Sequence, residues 1–276
     1  MNPISHFSNS EEICCISIGI EREGNTHCGI LYKTEKGSFF LHLGNPVELL
    51  NESDSNPKFG YLAKRQQYRW LPFINLHTAK QTLIKTKCIA IAETNKSLPF
   101  GIYIDEEAHF DAIGKFKMGK DSTGLTCATF VSVLLRSINL KIIDDSSWPE
   151  DRPDDLVWLQ KLVDYYEGRV IYLREGLKAI QDKLRFTLNL QQTHILRFQK
   201  TSILAEIDKL NRSLQGLRKG LEFCFMRFRP EEVAGVCFKD VNEWPFKFEY
   251  SEPGKAGAGK IGEDLLYYLK SQIAAQ

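Results

Sequence analysis

The stretch Gly124-Leu125-Thr126-Cys127-Ala128-Thr129-Phe130-Val131 presents a cysteine after a glycine and ahead of an apolar run, an arrangement that offers a thiol as a nucleophile. Phe130, Val133 and Leu134, with Val131 and Leu135, recur at three and four residues without Gly or Pro, which predicts a buried helix with Cys127 in its first turn. Thr126 is the expected N-cap, its hydroxyl accepting from an early backbone N–H. The free amides of that turn carry the positive end of the helix dipole. Both effects favour thiolate over thiol, and with a basic neighbour they draw the pKa down from ~8.5. The competing reading is a buried core cysteine.

A thiolate nucleophile needs a base, and the base needs a third group to hold its tautomer. The chain has six histidines, His6, His27, His42, His77, His109 and His194. His6 falls in a terminus expected to fray, His194 in a heptad-like segment, and His77 and His109 in stretches without a partner pattern. His27 and His42 lie on two expected strands joined by Thr34-Glu35-Lys36-Gly37. With Thr34 opposite Gly37, His27 falls opposite Gly44 and His42 two residues away, so the alternation of side chains puts both histidines on one face. Such diagonal neighbours sit roughly 7–8 Å apart, within reach of long side chains. A four-residue loop keeps this parity, and an odd-numbered loop reverses it. The expected catalytic set is therefore Cys127, His27 and His42; Tyr32 and Tyr103 are candidate lining residues for which packing is the favoured reading.

The elements that must position these residues read as follows. Ile13 to Ile20, His27 to Lys33, Ser38 to Leu43, Cys88 to Glu93 and Gly101 to Ile104 are expected strands, with a polar loop from Asn51 to Lys58. The Cys127 helix follows them. Composition shifts near Asp144-Asp145-Ser146-Ser147-Trp148-Pro149, after which Pro153 and Gly168 bracket one expected helix. Leu173, Leu177, Ile180 and Leu184, then Ile203, Ile207, Leu210, Leu214, Leu217 and Leu221, alternate at four and three residues. They predict two helices packed antiparallel as a hairpin, with one long helix pairing with a second chain as the competitor. Gly216 and Gly220 weaken the second. The aromatic-rich stretch from Phe223 to Tyr250 suggests short strands or a packed lid, Pro253 to Lys260 a linker without Walker spacing, and Ile261 to Ala274 a closing helix.

Composition excludes several function classes. The chain has 276 residues, with 36 Lys and Arg against 35 Asp and Glu, a formal net charge of +1. That balance gives no basic field for nucleic acid and no acidic tail. Seven cysteines (14, 15, 28, 88, 127, 224 and 237) are odd in number and unevenly spaced, which is no disulfide framework and fits a reducing compartment. No Cys-x-x-Cys pair and no paired histidines mark a metal site, and no cofactor is expected. No integral membrane segment and no secretory signal is visible, so the expected location is cytoplasmic, or outside the cell by a route that needs no signal peptide.

Thr26-His27-Cys28-Gly29-Ile30-Leu31-Tyr32, Phe40-Leu41-His42-Leu43-Gly44-Asn45-Pro46 and Thr126-Cys127-Ala128-Thr129-Phe130-Val131 together resemble the circularly permuted NlpC-type papain-like fold, in particular its lecithin retinol acyltransferase-like branch. The resemblance covers about residues 13 to 136, and Thr126 stands where that branch often has Asn. It implies an α+β fold, with an antiparallel sheet and a nucleophile helix in a catalytic domain over 1–150. A helical hairpin or coiled-coil region over 151–224 and an aromatic-rich segment over 225–276 with its closing helix have no counterpart in it. It implies Cys127 as nucleophile, His27 as general base and acid, and His42 as orienting group. The expected activity is that of a cysteine hydrolase working through a thioester, an amidase or thiol protease on a peptide-like substrate. Acyl transfer and deacylation of an acyl lipid are the alternatives. A non-catalytic scaffold, with a protein partner or a second copy bound through the 173–221 helices, is the reading from another class.

Overall fold

The computed structural model describes residues 2–20, 25–44, 48–56, 68–150, 152–187, 189–222, 227–251 and 259–274. Its centre is a six-stranded sheet in the order β1 (Asn2–Pro3), β6 (Arg69–Pro72), β2 (Cys14–Ile20), β3 (Thr26–Thr34), β4 (Gly37–Gly44), β5 (Glu48–Ser53), with every neighbouring pair antiparallel. Cys14, Ile16 and Ile18 of β2 face the same side as Cys28, Ile30 and Tyr32 of β3 and Leu41 and Leu43 of β4, and enter the main core. Cys15, Leu31, Phe40, Tyr68 and Trp70 point to the other side, where Ile4 and Phe7 of a 3-10 turn cover them. The central strands are thus apolar on both faces, which explains runs such as Cys14-Cys15-Ile16 in place of strict alternation.

The α-helices are α1 (Thr78–Thr94), α2 (Cys127–Arg136), α3 (Pro153–Phe186), α4 (Leu190–Glu222), α5 (Pro230–Cys237) and α6 (Lys260–Ala274). A small ribbon, β7 (His109–Phe110) with β8 (Phe116–Lys117), lies between α1 and α2 in sequence. α2 and α5 pack on β3, α5 also on β2, and α6 on α5. α3 and α4 pack side by side and antiparallel, with Arg169–Glu206 and Arg218–Glu167 ion pairs between them. Their near halves, through Leu159, Val163 and Leu173 and from Ile207 through Leu217, join the same apolar core as the sheet. Among the described residues, no helix is long and apolar enough to cross a membrane.

Several elements differ from the sequence-based expectation. Cys88 to Glu93 belongs to α1, because Ile84, Cys88 and Ile91 fall on one helical face and all three are buried. Gly101 to Ile104 is irregular; Phe100 bridges to Leu125, and Ile102 is buried without a strand around it. Asn51 to Ser53 completes β5 in place of a loop, and residues 57–58 of that expected loop lie outside the described residues. α3 runs through Gly168 without ending; that glycine has open space around it, so no close approach breaks the helix there. In the C-terminal part, Pro230 to Cys237 is a fully buried helix and neither strand nor lid, whereas Phe223, Cys224, Phe225 and most of the expected linker lie outside the described residues. His6 sits in the 3-10 turn anchored by Ile4 and Phe7, not in a frayed end.

Glu232 holds α5 in place. It has no exposure and meets the Arg152 guanidinium, the Trp148 indole N–H at 3.3 Å, and the backbone N–H groups of Arg229 at 3.0 Å and Gly259 at 2.9 Å. Arg152 itself donates to Asp155 at 2.7 Å and to the carbonyl of Arg227 at 2.6 Å. Each charge in this cluster is hydrogen-bonded, which is the condition under which a buried ion pair is tolerated. Removing one partner leaves the other charge buried and unpaired. Arg152→Ala is expected to lower the unfolding free energy by about 3–5 kcal/mol, measured by urea denaturation, and a loss below about 1 kcal/mol, the level of a surface pair, would contradict this account.

Candidate functional site

α2 begins where its residues dictate. The Thr126 hydroxyl accepts from Thr129 N–H at 3.2 Å, and Thr129 Oγ1 accepts from Thr126 N–H at 2.7 Å, a reciprocal cap with threonine at both ends. Gly124 has φ +142°, and a Cβ there would lie 2.6 Å from the backbone of Phe100 and Gly101, so only glycine lets the chain turn into the helix here. Cys127 follows as the first helical residue and is half-buried.

The hairpin register is the expected one. Thr34 pairs with Gly37 and Ile30 with Leu41, and His27 and His42 share a face, with His27 Nε2 2.9 Å from His42 Nδ1. Gly29 makes room for this: a Cβ on it would stand 2.7 Å from His42 Cβ and 2.6 Å from the Leu41 carbonyl. Phe40 stacks on the His42 ring with centroids 4.3 Å apart, and Tyr68 stands edge-on to His27 at 6.2 Å. His42 is buried, so its ring is fixed by packing as well as by its partners.

The structure brings Cys127, His27 and His42 together. The Cys127 thiol interacts electrostatically with the side chains of Cys28 and His27 and with the Cys28 backbone N–H. The hydrogen bond from the Cys28 thiol, together with the positive His27 ring and its N–H, outweighs burial and holds the Cys127 thiol well below its ordinary value. Burial, reinforced by that same contact, pushes Cys28 far up, so Cys28 keeps its proton and remains a donor.

Two residues complete the arrangement that the sequence reading missed. Glu52 Oε2 faces His42 Nε2 at 3.6 Å, and neither atom has another partner among the described residues. β5 supplies Glu52, because His42 pairs with Leu50 and the residue two along projects to the same side. Had Asn51 to Ser53 been read as strand, that alternation would have pointed to it. Thr26, next to His27, donates to the carboxylate of Glu231 at the start of α5. Burial raises the pKa of Glu231 above the usual carboxylate value, against the pull of the Thr26 hydroxyl. Tyr32 is no part of this group: it donates to Asn51 at 3.0 Å and stacks on Phe39. Tyr103 is exposed in the irregular 101–104 segment. His77 caps α1, and His109 and His194 are exposed. Asn45 and Pro46 lie outside the described residues.

The chain matches no family model, no curated protein and no solved structure. What the arrangement can do therefore rests on its geometry. Burial favours neutral His42, lowering its pKa from 6.5 against the raising effect of Glu52. A neutral His42 carrying its proton on Nε2, toward Glu52, leaves Nδ1 to accept from His27 Nε2–H. His27 Nδ1 is then the nitrogen left for sulfur. The far end of this line is the Glu52 carboxylate, 3.6 Å from His42 Nε2.

Two outcomes follow. Cys127 is expected to be alkylated by iodoacetamide well below pH 8 while the buried cysteines stay silent, and His27→Ala should move its inflection toward the ordinary ~8.5, as read by peptide mass spectrometry across pH. A Cys127 inert at neutral pH would refute the thiolate. Because the folded pKa of His42 lies below 6.5, the unfolded chain binds more protons between the two values, so stability should fall as pH drops through that window. His42→Gln should flatten this part of the pH profile of the urea midpoint.

Proposed function

We propose that this protein is a cysteine-dependent hydrolase that works through a thioester acyl-enzyme, with an amide as its first substrate class, in the manner of the permuted papain-like fold that its motifs resemble. The observation that carries the reading is the line Cys127, His27, His42, Glu52, in which a thiol at a helix start has its pKa held low by Cys28 and His27, and His27 Nε2 lies 2.9 Å from His42 Nδ1.

In this reading His27 takes the Cys127 proton on Nδ1, and the thiolate attacks the carbonyl carbon of the substrate. The backbone N–H of Cys127, in the turn of a helix whose amides have no intrahelical acceptor, holds the oxyanion. His27 then gives its proton to the leaving amine as the C–N bond breaks, and Cys127 carries the acyl group as a thioester. A water molecule, deprotonated by His27, attacks the thioester and releases the acid and the thiol. His42 keeps His27 in the required tautomer, and Glu52 stabilises the proton on His42 Nε2 while His27 is imidazolium.

The test is a reaction with an activated ester, p-nitrophenyl acetate. Wild type should release one nitrophenolate per chain in a burst and carry one acetyl group on the peptide that holds Cys127. Cys127→Ala should show no burst, and His27→Ala should slow it on the order of 10²–10⁴-fold. Glu52→Gln should slow it less, since it alters only the far end of the line. A burst that survives in Cys127→Ala, or an acetyl group found on another cysteine, would overturn the assignment. Amide substrates follow once the acyl-enzyme is located.

A further inference from the structure

α3 and α4 leave the core together and go on. Their last buried positions are Leu173 and Ile207, so the 13 residues from 174 to Phe186 carry the pair roughly 20 Å further at 1.5 Å per residue. At the far end Phe186, Leu190 and Phe198 are 83%, 80% and 77% exposed, and Ile195 is 52% exposed. The helices leave an open groove of about 600 Å³ there, lined in part by Phe186, Ile195 and Leu196. Between residues 178 and 200 stand five basic side chains, Lys178, Lys183, Arg185, Arg197 and Lys200, and one acid, Asp182, in a chain whose net charge is only +1.

Apolar side chains this exposed at one end of an element mark a binding surface, and the charge around them selects its partner. We infer that the tip of the α3–α4 pair docks on an anionic lipid surface, with Phe186, Leu190 and Phe198 entering the interfacial region and the basic side chains meeting lipid headgroups. Basic residues flanking Phe and Leu are the combination that interfacial helices use. A second copy bound tip to tip would set two basic clusters against each other. A nucleic acid would suit the charge but leave Leu190 and Ile195 in water, since aliphatic side chains offer bases no stacking platform. With no helix long and apolar enough to span a bilayer among the described residues, contact is at the surface. The inference is independent of the thiol chemistry.

The test is flotation of the full chain with two kinds of vesicle, phosphatidylcholine alone and phosphatidylcholine with about a third phosphatidylglycerol, the anionic lipid that attracts basic segments. Wild type should float with the anionic vesicles and be released at about 1 M NaCl, where the screening length is about 3 Å. Phe186→Ser with Phe198→Ser, and separately Arg185→Glu with Arg197→Glu, should each lower binding at least about tenfold with an unchanged melting temperature. These positions are exposed, so the fold does not depend on them. The proposal is overturned if wild type does not float with anionic vesicles, or if both double variants float as wild type does. It is equally overturned if sedimentation shows a dimer that the Phe variant dissociates while lipid binding is absent, or if a single-stranded RNA oligonucleotide is retained by wild type and the vesicles are not.

Discussion

A single unexposed carboxylate, Glu232, gathers three stretches of the chain between residues 148 and 259. It takes hydrogen bonds from Trp148 and Arg152, from Arg229 at the start of its own helix, and from Gly259 just ahead of α6. Desolvating that charge is costly, and only a full set of donors repays it, so these three stretches must arrive in one arrangement. Its neighbour Glu231 meets Thr26 at the start of β3. The helix that Glu232 anchors is thus also tied to the strand end that carries His27. Further from the cluster, tolerance rises, and the outer halves of α3 and α4 pack on little beyond each other.

The same logic of satisfied partners governs the site. A thiolate in a half-buried place needs donors around it, and Cys127 has Cys28 on one side and His27 on the other. The two are successive residues on β3 and point to opposite faces. α2 packs on β3, which brings its first residue to these two. Gly29 then leaves the space in which His42 can approach His27, and Phe40 closes the far side of its ring.

Much of this was legible in the residues. The parity of His27 and His42 follows from a two-residue turn and a period of two, and neither depends on tertiary context. Thr126 as a cap and Cys127 as the first helical residue follow equally from local chemistry. Glu52 was hidden because Asn, Ser, Asp and Pro cluster around it and read as loop, although β5 gains its place by pairing with β4 rather than by propensity. Cys88 to Glu93 misled for the opposite reason: six residues of a helix that alternate small and apolar side chains mimic a strand, and only the longer window with Ile84 shows a period near 3.6. Gly168 read as a stop because a glycine at a helix end and a glycine on an exposed helical face look alike in sequence.

One consequence concerns the order in which the chain is made. His27 and Cys28 are translated a hundred residues before Cys127, and α5, which packs on β3 and α2 together, comes a further hundred later. The lowered pKa of Cys127 rests on Cys28 and His27, so it exists only once β3 and α2 have met. Contacts this distant in sequence close late. The lowered thiol pKa is thus a property of the folded chain, absent until strand and helix residues a hundred positions apart have met.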